Sequence, residues 1–364
     1  MQAAEQTREA ARVLAVCNAC RYCEQYCPAF QALEQRLTFA TADVNYLANL
    51  CHGCGECLYA CQYAPPHEFA INVPQTLAAA RVVSYEQYAW PAALALAFRV
   101  QSIGTALLLA VAFTVALLGA TLALNPGAVH APSFASDFYF VIPHSALVAL
   151  FGGVGAFVVA ALAVGVVRCR RDFAAAAAPP DASRPSSGLR HALRDAFTLR
   201  HLHVAGADCV TALEVRTPWR KRMHHLTSYG FALCFASTCV AALYHFAGNP
   251  APYAYTSLPV LLGTVGGTAL VIGTAGLLRM RRARDPKLSH ESQDRLDGAF
   301  ITLLLLTGVS GLLLLALRWH AAMGLLLIAH LGLVLALFVT LPYGKFVHGL
   351  YRLAALVKYR REQV

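Results

Sequence analysis

Six long apolar stretches dominate this sequence from residue 100 onward and leave few folds open to it. Each has about 20 residues or more, enough to cross a ~30 Å hydrocarbon core as a helix. None has Asp, Glu, Lys or Arg in its interior; the stretches are 100–124, 145–167, 226–245, 257–278, 298–317 and 321–341. Because only 13% of all residues are charged, the sequence predicts an α-helical membrane protein with six transmembrane helices.

The positive charges are distributed unevenly between the two sides of these stretches. Of 29 Lys and Arg residues, 28 lie in the N-terminal region, in the loops 168–222 and 279–296, or in the C-terminal tail, and only Arg318 lies on the other side. The positive-inside rule then predicts a multi-pass inner-membrane protein with both termini in the cytoplasm. The first residues also lack the apolar segment of a signal peptide. Membrane topology accounts for the net charge of +10, so no nucleic-acid partner is expected.

Eight cysteines near the N-terminus form two runs with the same spacing. In each run, two residues separate the first three cysteines from one another and three residues precede the fourth. This is the bacterial ferredoxin spacing, in which the fourth cysteine of each run ligates the other cluster. Zinc sites or disulfides are the alternatives, but a reducing cytoplasm and this tight spacing disfavour them. The sequence therefore predicts a bacterial ferredoxin-like head with two [4Fe–4S] clusters, one held by Cys17, Cys20, Cys23 and Cys61 and the other by Cys51, Cys54, Cys57 and Cys27.

These features divide the chain into four segments. They are the cytoplasmic head 1–98, transmembrane helices 1 and 2 in 99–168, a cytoplasmic linker 169–222, and transmembrane helices 3 to 6 with a short cytoplasmic tail in 223–364. Within the linker, residues 172–188 are of low complexity, and residues 189–203 carry apolar side chains at helical intervals. This second part predicts an amphipathic helix that lies on the membrane surface or docks on a partner or on the head.

Histidines in the third and sixth spans predict b-type haem. His330 lies mid-span, where an ionisable side chain is costly and usually functional. His225 and His245 are about 30 Å apart along a helix, and His330 and His348 about 27 Å apart if the helix continues through Pro342. In adjacent antiparallel spans, His225 would meet His348 near the cytoplasm and His245 would meet His330 deeper, giving two bis-histidine haem sites. One haem at His225 and His348 is the alternative, and further candidate ligands are His144, His224 and His320.

Four motifs follow one another along essentially the whole chain: CNACRYCEQYC, NLCHGCGECLYACQYAPPHEFAINVP, RKRMHHLTSYGFALCFASTCVAALYHF and PYGKFVHGLYR. Together they resemble the tricarballylate-utilisation protein B family, also called the CitB family. The resemblance implies a membrane subunit that reoxidises a separate FAD-dependent dehydrogenase of tricarballylate or a related tricarboxylate. Electrons would cross the clusters and haem to quinone.

The segment HLGLVLALFVTLPYGKFVH is also similar to the last haem helix of the nitrate reductase gamma subunit. In that subunit two haem-ligating histidines have the same separation as His330 and His348. Its two partner histidines lie ten residues apart, whereas Phe235 lies ten residues after His225 in this chain. The resemblance therefore implies the haem at His225 and His348 more directly than a second one.

Quinone is expected at the cytoplasmic end of the sixth span. Tyr343 and Lys345 follow Pro342 at the predicted interface, and both side chains can donate hydrogen bonds to quinone carbonyls. Alternatively, they anchor the helix at the membrane surface. The absence of a GxGxxG motif argues against flavin or NAD bound to this chain.

The sequence is also compatible with two other functions. Electrons could flow in reverse, from quinol to a cytoplasmic reductase. A transporter with a redox-sensing head is also compatible with six spans, although the spans lack a charged pathway. The small-residue segments GGVGAF at 152–157 and GTVGGTA at 263–269 predict faces where helices pack closely.

Overall fold

The computed structural model describes residues 2–99, 102–129, 138–177, 188–202, 218–249 and 251–363. Within these ranges the regular structure is helical and contains no strand. The helices of the N-terminal region are α1 (Gln2–Cys20), α2 (Pro28–Leu33), α3 (Thr41–Leu50), α4 (Glu56–Tyr59), α5 (Val73–Tyr88) and α6 (Ala92–Ala97). Those that follow are α7 (Ile103–Leu124), α8 (Phe138–Val141), α9 (His144–Ala175), α10 (Gly188–Phe197), α11 (Trp219–Phe246), α12 (Leu258–Arg282), α13 (Glu291–Ala316), α14 (Met323–Thr340) and α15 (Val347–Glu362). Short 3-10 turns occur at Pro126–Val129, Arg200–Leu202 and Pro286–Leu288.

Six of these helices are long and apolar enough to cross a membrane, namely α7, α9, α11, α12, α13 and α14. They coincide with the six apolar stretches, so the prediction of an α-helical membrane protein with six transmembrane helices is confirmed. Helix α9 continues beyond its apolar stretch to Ala175 and carries Arg168, Arg170 and Arg171 out of the bundle. The N-terminal region packs at this end of the bundle, which is called the head side below.

The segment 263–269 is a packing face, as predicted. A β-carbon added at Gly266 would lie 2.8 Å from the backbone nitrogen of Cys234, and one added at Gly230 would lie 2.6 Å from that of Leu270. Helices α11 and α12 therefore approach to backbone contact, which only small residues allow. The same prediction for 152–157 is wrong, because nothing lies within 4 Å of a β-carbon added at Gly152, Gly153 or Gly155. These glycines face outward.

The last span does not continue as one helix to His348. Helix α14 ends at Thr340, and α15 begins only at Val347. Pro342 lies in the break, where its ring removes a backbone donor and disfavours further helix. The 27 Å helical separation expected between His330 and His348 therefore does not hold.

Helices α11 and α14 are not packed side by side. Helix α11 packs along α12, whereas α14 packs against α7, α13 and α9. Helix α11 meets the segment after α14 at the head side, where Phe231 faces Phe346 with ring centroids 6.1 Å apart.

The core of the head includes two elements from the membrane half of the chain. Tyr351, Ala355 and Leu356 of α15 are at most 1% exposed, and Cys169 and Phe173 of α9 join the same cluster with α1, α2, α3 and α5. Polar contacts strengthen this union. They are the buried ion pairs from Arg36 to Asp43 at 3.0 Å and to Glu362 at 2.7 Å, and hydrogen bonds from Tyr46 to Glu362 and from Asn45 to Asp172.

The amphipathic helix α10 packs against α15 rather than standing alone. Ala192 is fully buried, and the buried carboxylate of Asp195 accepts hydrogen bonds from Arg360. Of the two alternatives left open by the sequence, the structure favours docking on the chain itself. Residues 178–187 of the low-complexity linker and residue 203 lie outside the described residues.

Candidate functional site

The first cysteine set, Cys17, Cys20, Cys23 and Cys61, borders one cavity, which Cys57 of the second run also lines. The cavity has a volume of about 210 Å³ and opens at the surface of the head, where Tyr22 is 66% exposed. Three of the cysteines come from the end of α1 and the turns after it, and Cys61 follows α4. The structure thus brings the last cysteine of the second run to the first three of the first run.

The second cysteine set, Cys51, Cys54, Cys57 and Cys27, lies deeper. Burial raises the pKa of the Cys27 thiol, and the nearby Cys54 and Cys51 raise it further. The pKa of Cys57 is raised by burial and then by Cys54, Cys51 and Cys27. Each run therefore sends its fourth cysteine toward the other set.

Two glycines shape the loop of the second cysteine set. Gly53 and Gly55 have φ values of +59° and +92°, a conformation that favours glycine. The turn directs the backbone N–H of Gly53 at the sulfur of Cys51, at 3.4 Å. Such N–H···S hydrogen bonds tune the potential of iron–sulfur clusters.

The arrangement of the thiols suits a polynuclear cluster. Burial, with Cys61, Cys23 and Cys20 adding to it, raises the pKa of Cys17 to about 12, so thiolates gathered here need a cationic partner. Across the described ranges, no three His, Cys, Asp or Glu side chains converge tightly enough for a single metal ion. The first cysteine set borders a cavity instead, a space that a [4Fe–4S] cluster could occupy with the thiolates as its ligands.

A pair of histidines, His224 of α11 and His348 of α15, meets at the head side of the bundle. Their ring centroids are 6.1 Å apart with the planes 77° apart. The Nδ1 of His348 donates to the carbonyl of Lys345 at 2.6 Å, and the Nδ1 of His224 lies 3.1 Å from the Ser228 hydroxyl. With Nδ1 engaged in each ring, Nε2 is the nitrogen that would bind a metal, and the centroid separation leaves room for one metal at roughly 2 Å per metal–nitrogen bond.

The electrostatics around this histidine pair favour the neutral imidazole that a metal ligand requires. Burial lowers the pKa of His348 well below its usual range, and the positive charges of Lys345 and Arg352 lower it further. The histidine pair could therefore hold a b-type haem through its two imidazoles.

The other predicted haem ligands are not brought together. His225 stacks on Tyr229, with ring centroids 5.5 Å apart, and does not pair with His348. His330 Nδ1 lies 2.9 Å from the Ser310 hydroxyl. His245 stacks on His144 at the far side of the bundle, with centroids 3.6 Å apart. The pairing of His245 with His330 thus has no counterpart in the structure, because α11 lies along α12 instead of α14.

Tyr343 and Lys345, the predicted quinone residues, both have partners within the chain. The Tyr343 hydroxyl donates to the carbonyl of Trp90 at 2.9 Å, and its ring stacks on Phe98. Lys345 pairs with Asp297 at 2.7 Å. Burial lowers the pKa of Lys345 to about 8, although Asp297 opposes this shift. These contacts fix the segment between α14 and α15 to α13 and to the end of the head.

Sequence reasoning favoured His225 over its neighbour His224. Adjacent residues on a helix point about 100° apart, so only contacts with distant elements distinguish them. Reasoning also missed Arg81, Arg220, Arg284 and Arg352, whose guanidinium groups donate to backbone carbonyls around Cys51. Arg220 and Arg352 each stand four residues from a member of the histidine pair, which was a usable signal.

Together, the head with its two cysteine sets and the six apolar helices define a multi-pass membrane protein with a ferredoxin-type domain. A family model for the citrate utilization protein B Fer4-like domain matches residues 10–89, and one for citrate utilization protein B matches residues 99–364. The chain belongs to the citrate utilization protein B family. The citrate utilization protein B of Escherichia coli is 47% identical over 362 residues, which cover 99% of this chain and 93% of that protein. No solved structure matches the chain significantly.

Proposed function

We propose that this protein is a membrane electron-transfer subunit that reoxidises a cytoplasmic FAD-dependent dehydrogenase and delivers the electrons to quinone. The name of the Escherichia coli relative points to citrate use, and the dehydrogenase substrate proposed here is tricarballylate or a related tricarboxylate. A two-electron reduced flavin must be emptied one electron at a time, and iron–sulfur clusters and haem, when bound, accept single electrons.

One observation carries the proposal: the candidate sites follow one another from the surface of the head into the bundle. The first cysteine set opens at the surface. The loop of the second cysteine set accepts hydrogen bonds from Arg352 at 2.9 Å and Arg220 at 3.4 Å. Because these arginines stand one helical turn from His348 and His224, they connect the loop of the second cysteine set to the histidine pair, which supports a route through the two.

The chain's own residues have defined tasks in this proposal. The cysteine sets would hold two [4Fe–4S] clusters, and His224 and His348 would hold b-type haem. Tyr22, exposed beside the first cavity, would border the surface that receives the flavoenzyme. The excess of Lys and Arg on the head side supports a cytoplasmic head in the inner membrane.

A reduced-minus-oxidised visible spectrum of the purified protein, with iron and haem quantification, tests the proposal. We expect a b-type haem spectrum and about eight non-haem irons per chain. Adding reduced flavoenzyme should then reduce the haem, and adding quinone should reoxidise it. Protein that folds in detergent but holds neither iron nor haem would contradict the proposal and favour a transporter.

A further inference from the structure

Arginines from several parts of the chain surround the loop Cys51–Gly53 of the second cysteine set. Arg81 of α5 donates to the carbonyl of Cys51 at 2.7 Å, and Arg352 of α15 donates to the same oxygen at 2.9 Å. Arg284, just after α12, donates to the carbonyl of Gly53 at 3.1 Å. Two guanidinium groups therefore converge on one carbonyl next to a predicted cluster ligand.

Neither Arg81 nor Arg352 is balanced by a carboxylate. Arg81 is only 3% exposed, and its partners are the carbonyls of Ala48 and Cys51 and the amide oxygen of Gln293. Arg352 donates to the carbonyls of Asn49 and Cys51. Throughout the described part of the chain, no Asp or Glu lies within ion-pair distance of either guanidinium.

This arrangement is unstable by itself. A buried charge without a partner is costly, and two like charges that share one acceptor repel each other. The head folds around this pair, so a negative charge is required close by. Four thiolates on a [4Fe–4S] core give an anion in both of its oxidation states, and Cys51 belongs to the second cysteine set.

We propose that Arg81 and Arg352 supply the counter-charge for the cluster of the second cysteine set and raise its reduction potential above that of the first. This inference rests on the proposed function, because it presupposes both clusters. Nearby positive charge stabilises the reduced form, which carries one more negative charge, and so favours uptake of an electron without a proton. By contrast, none of the described residues that line the first cavity is charged. Net charge is among the factors that set cluster potentials.

The consequence for function is a preferred direction of electron transfer, from the first cysteine set to the second. An electron that enters at the exposed first cavity would be held more strongly at the second cysteine set, next to the histidine pair. Arg81 and Arg352 are positioning residues in this scheme, since they act on the potential and contact no substrate.

The test is an EPR-monitored redox titration of the full-length protein in detergent, comparing Arg352→Gln and Arg81→Gln with wild type. At a fixed potential, we expect the ratio of reduced to oxidised second cluster to fall about tenfold in each variant, a shift of about 59 mV for a one-electron couple. The reduction potential of the first cluster should not change. In Arg352→Lys the potential of the second cluster should stay near the wild-type value, because lysine keeps the positive charge.

Arg12→Gln is the matched control. Arg12 also donates to a backbone carbonyl of the head, that of Phe69 at 3.2 Å, but it is exposed and already paired with Glu9. Its replacement should leave the reduction potentials of both clusters unchanged.

An unchanged ratio in Arg352→Gln with both clusters retained would overturn the inference. So would loss of about four irons in both Arg352→Gln and Arg352→Lys, because the site would then need the shape of arginine and not its charge. Loss in Arg352→Gln alone supports the counter-charge role. Wild-type protein without clusters would instead refute the proposed function.

Discussion

At the scale of single residues, hydrogen bonds to one ring nitrogen decide what the histidine pair can bind. In both rings Nδ1 is engaged within its own helix or loop, by Ser228 for His224 and by the Lys345 carbonyl for His348. Such contacts fix the orientation of the rings and direct Nε2 outward, which is the usual support of a metal-ligating histidine. His225 lies outside this pair, because its ring stacks on Tyr229 and hydrogen-bonds to the backbone of Thr198.

The two adjacent histidines should therefore differ sharply when each is replaced. We expect His224→Ala to lose the haem absorbance of the histidine pair while the protein still inserts into the membrane. His225→Ala, the matched control, should retain it. The measurement is a reduced-minus-oxidised spectrum normalised to protein. Haem loss in His225→Ala with full retention in His224→Ala would restore the ligand expected from the sequence.

The ion pair between Lys345 and Asp297 gives a second prediction. Lys345→Gln leaves Asp297, with a side chain only 18% exposed, without its cation, and we expect a loss of about 3 kcal/mol of stability. The double variant Lys345→Gln/Asp297→Asn should recover most of it. Thermal unfolding in detergent measures both. A double variant no more stable than the single one would show that the pair is not the source of the loss.

The same double variant examines the quinone prediction. Haem reoxidation by added quinone at the wild-type rate would remove Lys345 from the quinone site. Slow reoxidation in a stable double variant would support a role as quinone ligand.

At the scale of helices, the close contact between α11 and α12 fixes the position of these two helices relative to each other. Glycines on both helices permit it, and α11 in turn positions His224. The glycines of α9 at 152–155 have no such neighbour. The same residue type therefore has opposite roles in two spans, which depend only on the direction in which it faces.

Gly266→Ala and Gly152→Ala form a matched pair of tests. The added β-carbon at Gly266 would meet backbone atoms at 2.8 and 2.9 Å, which cannot move independently, so we expect a loss of about 1–3 kcal/mol. Gly152→Ala should change stability by no more than about 0.5 kcal/mol. Denaturant titration in detergent distinguishes them. Equal stability of the two variants would contradict the packing described here.

At the scale of the whole molecule, two elements of the membrane half of the chain complete the core of the head. Helix α15 and the end of α9 pack into the head, and Arg36 joins α15 through Glu362. The two cysteine sets and the histidine pair consequently belong to one continuous structure instead of two domains joined by a hinge. Fixed distances between the two cysteine sets and the histidine pair follow from this packing.

The fourth cysteine of each run lies near the other cysteine set within this structure. We expect Cys61→Ser to perturb the cluster of Cys17, Cys20 and Cys23 and to spare that of its sequence neighbours, because Cys61 borders the first cavity. EPR of the reduced variant, with iron quantification, provides the measurement. A perturbed second cluster beside an intact first one would reverse the assignment.

The sequence predicted features that depend on local spacing. Apolar length specified the six spans, and the cysteine intervals predicted the grouping in which the structure brings Cys61 to Cys17. What it could not predict depends on contacts between distant elements. Choosing between His224 and His225 requires the position of α15. The periodicity of the sequence does not predict that α15 packs into the head. The break at Pro342 was visible, but its effect on the distance to His330 was not.

The burial of α15 in the head also imposes an order on biosynthesis. This helix follows all six spans in the chain, yet Tyr351 and Ala355 fill the core beneath α3 and α5. The N-terminal cysteines therefore emerge from the ribosome long before the segment that completes their surroundings. The core of the head can be completed only after all six apolar helices and α15 have been synthesised.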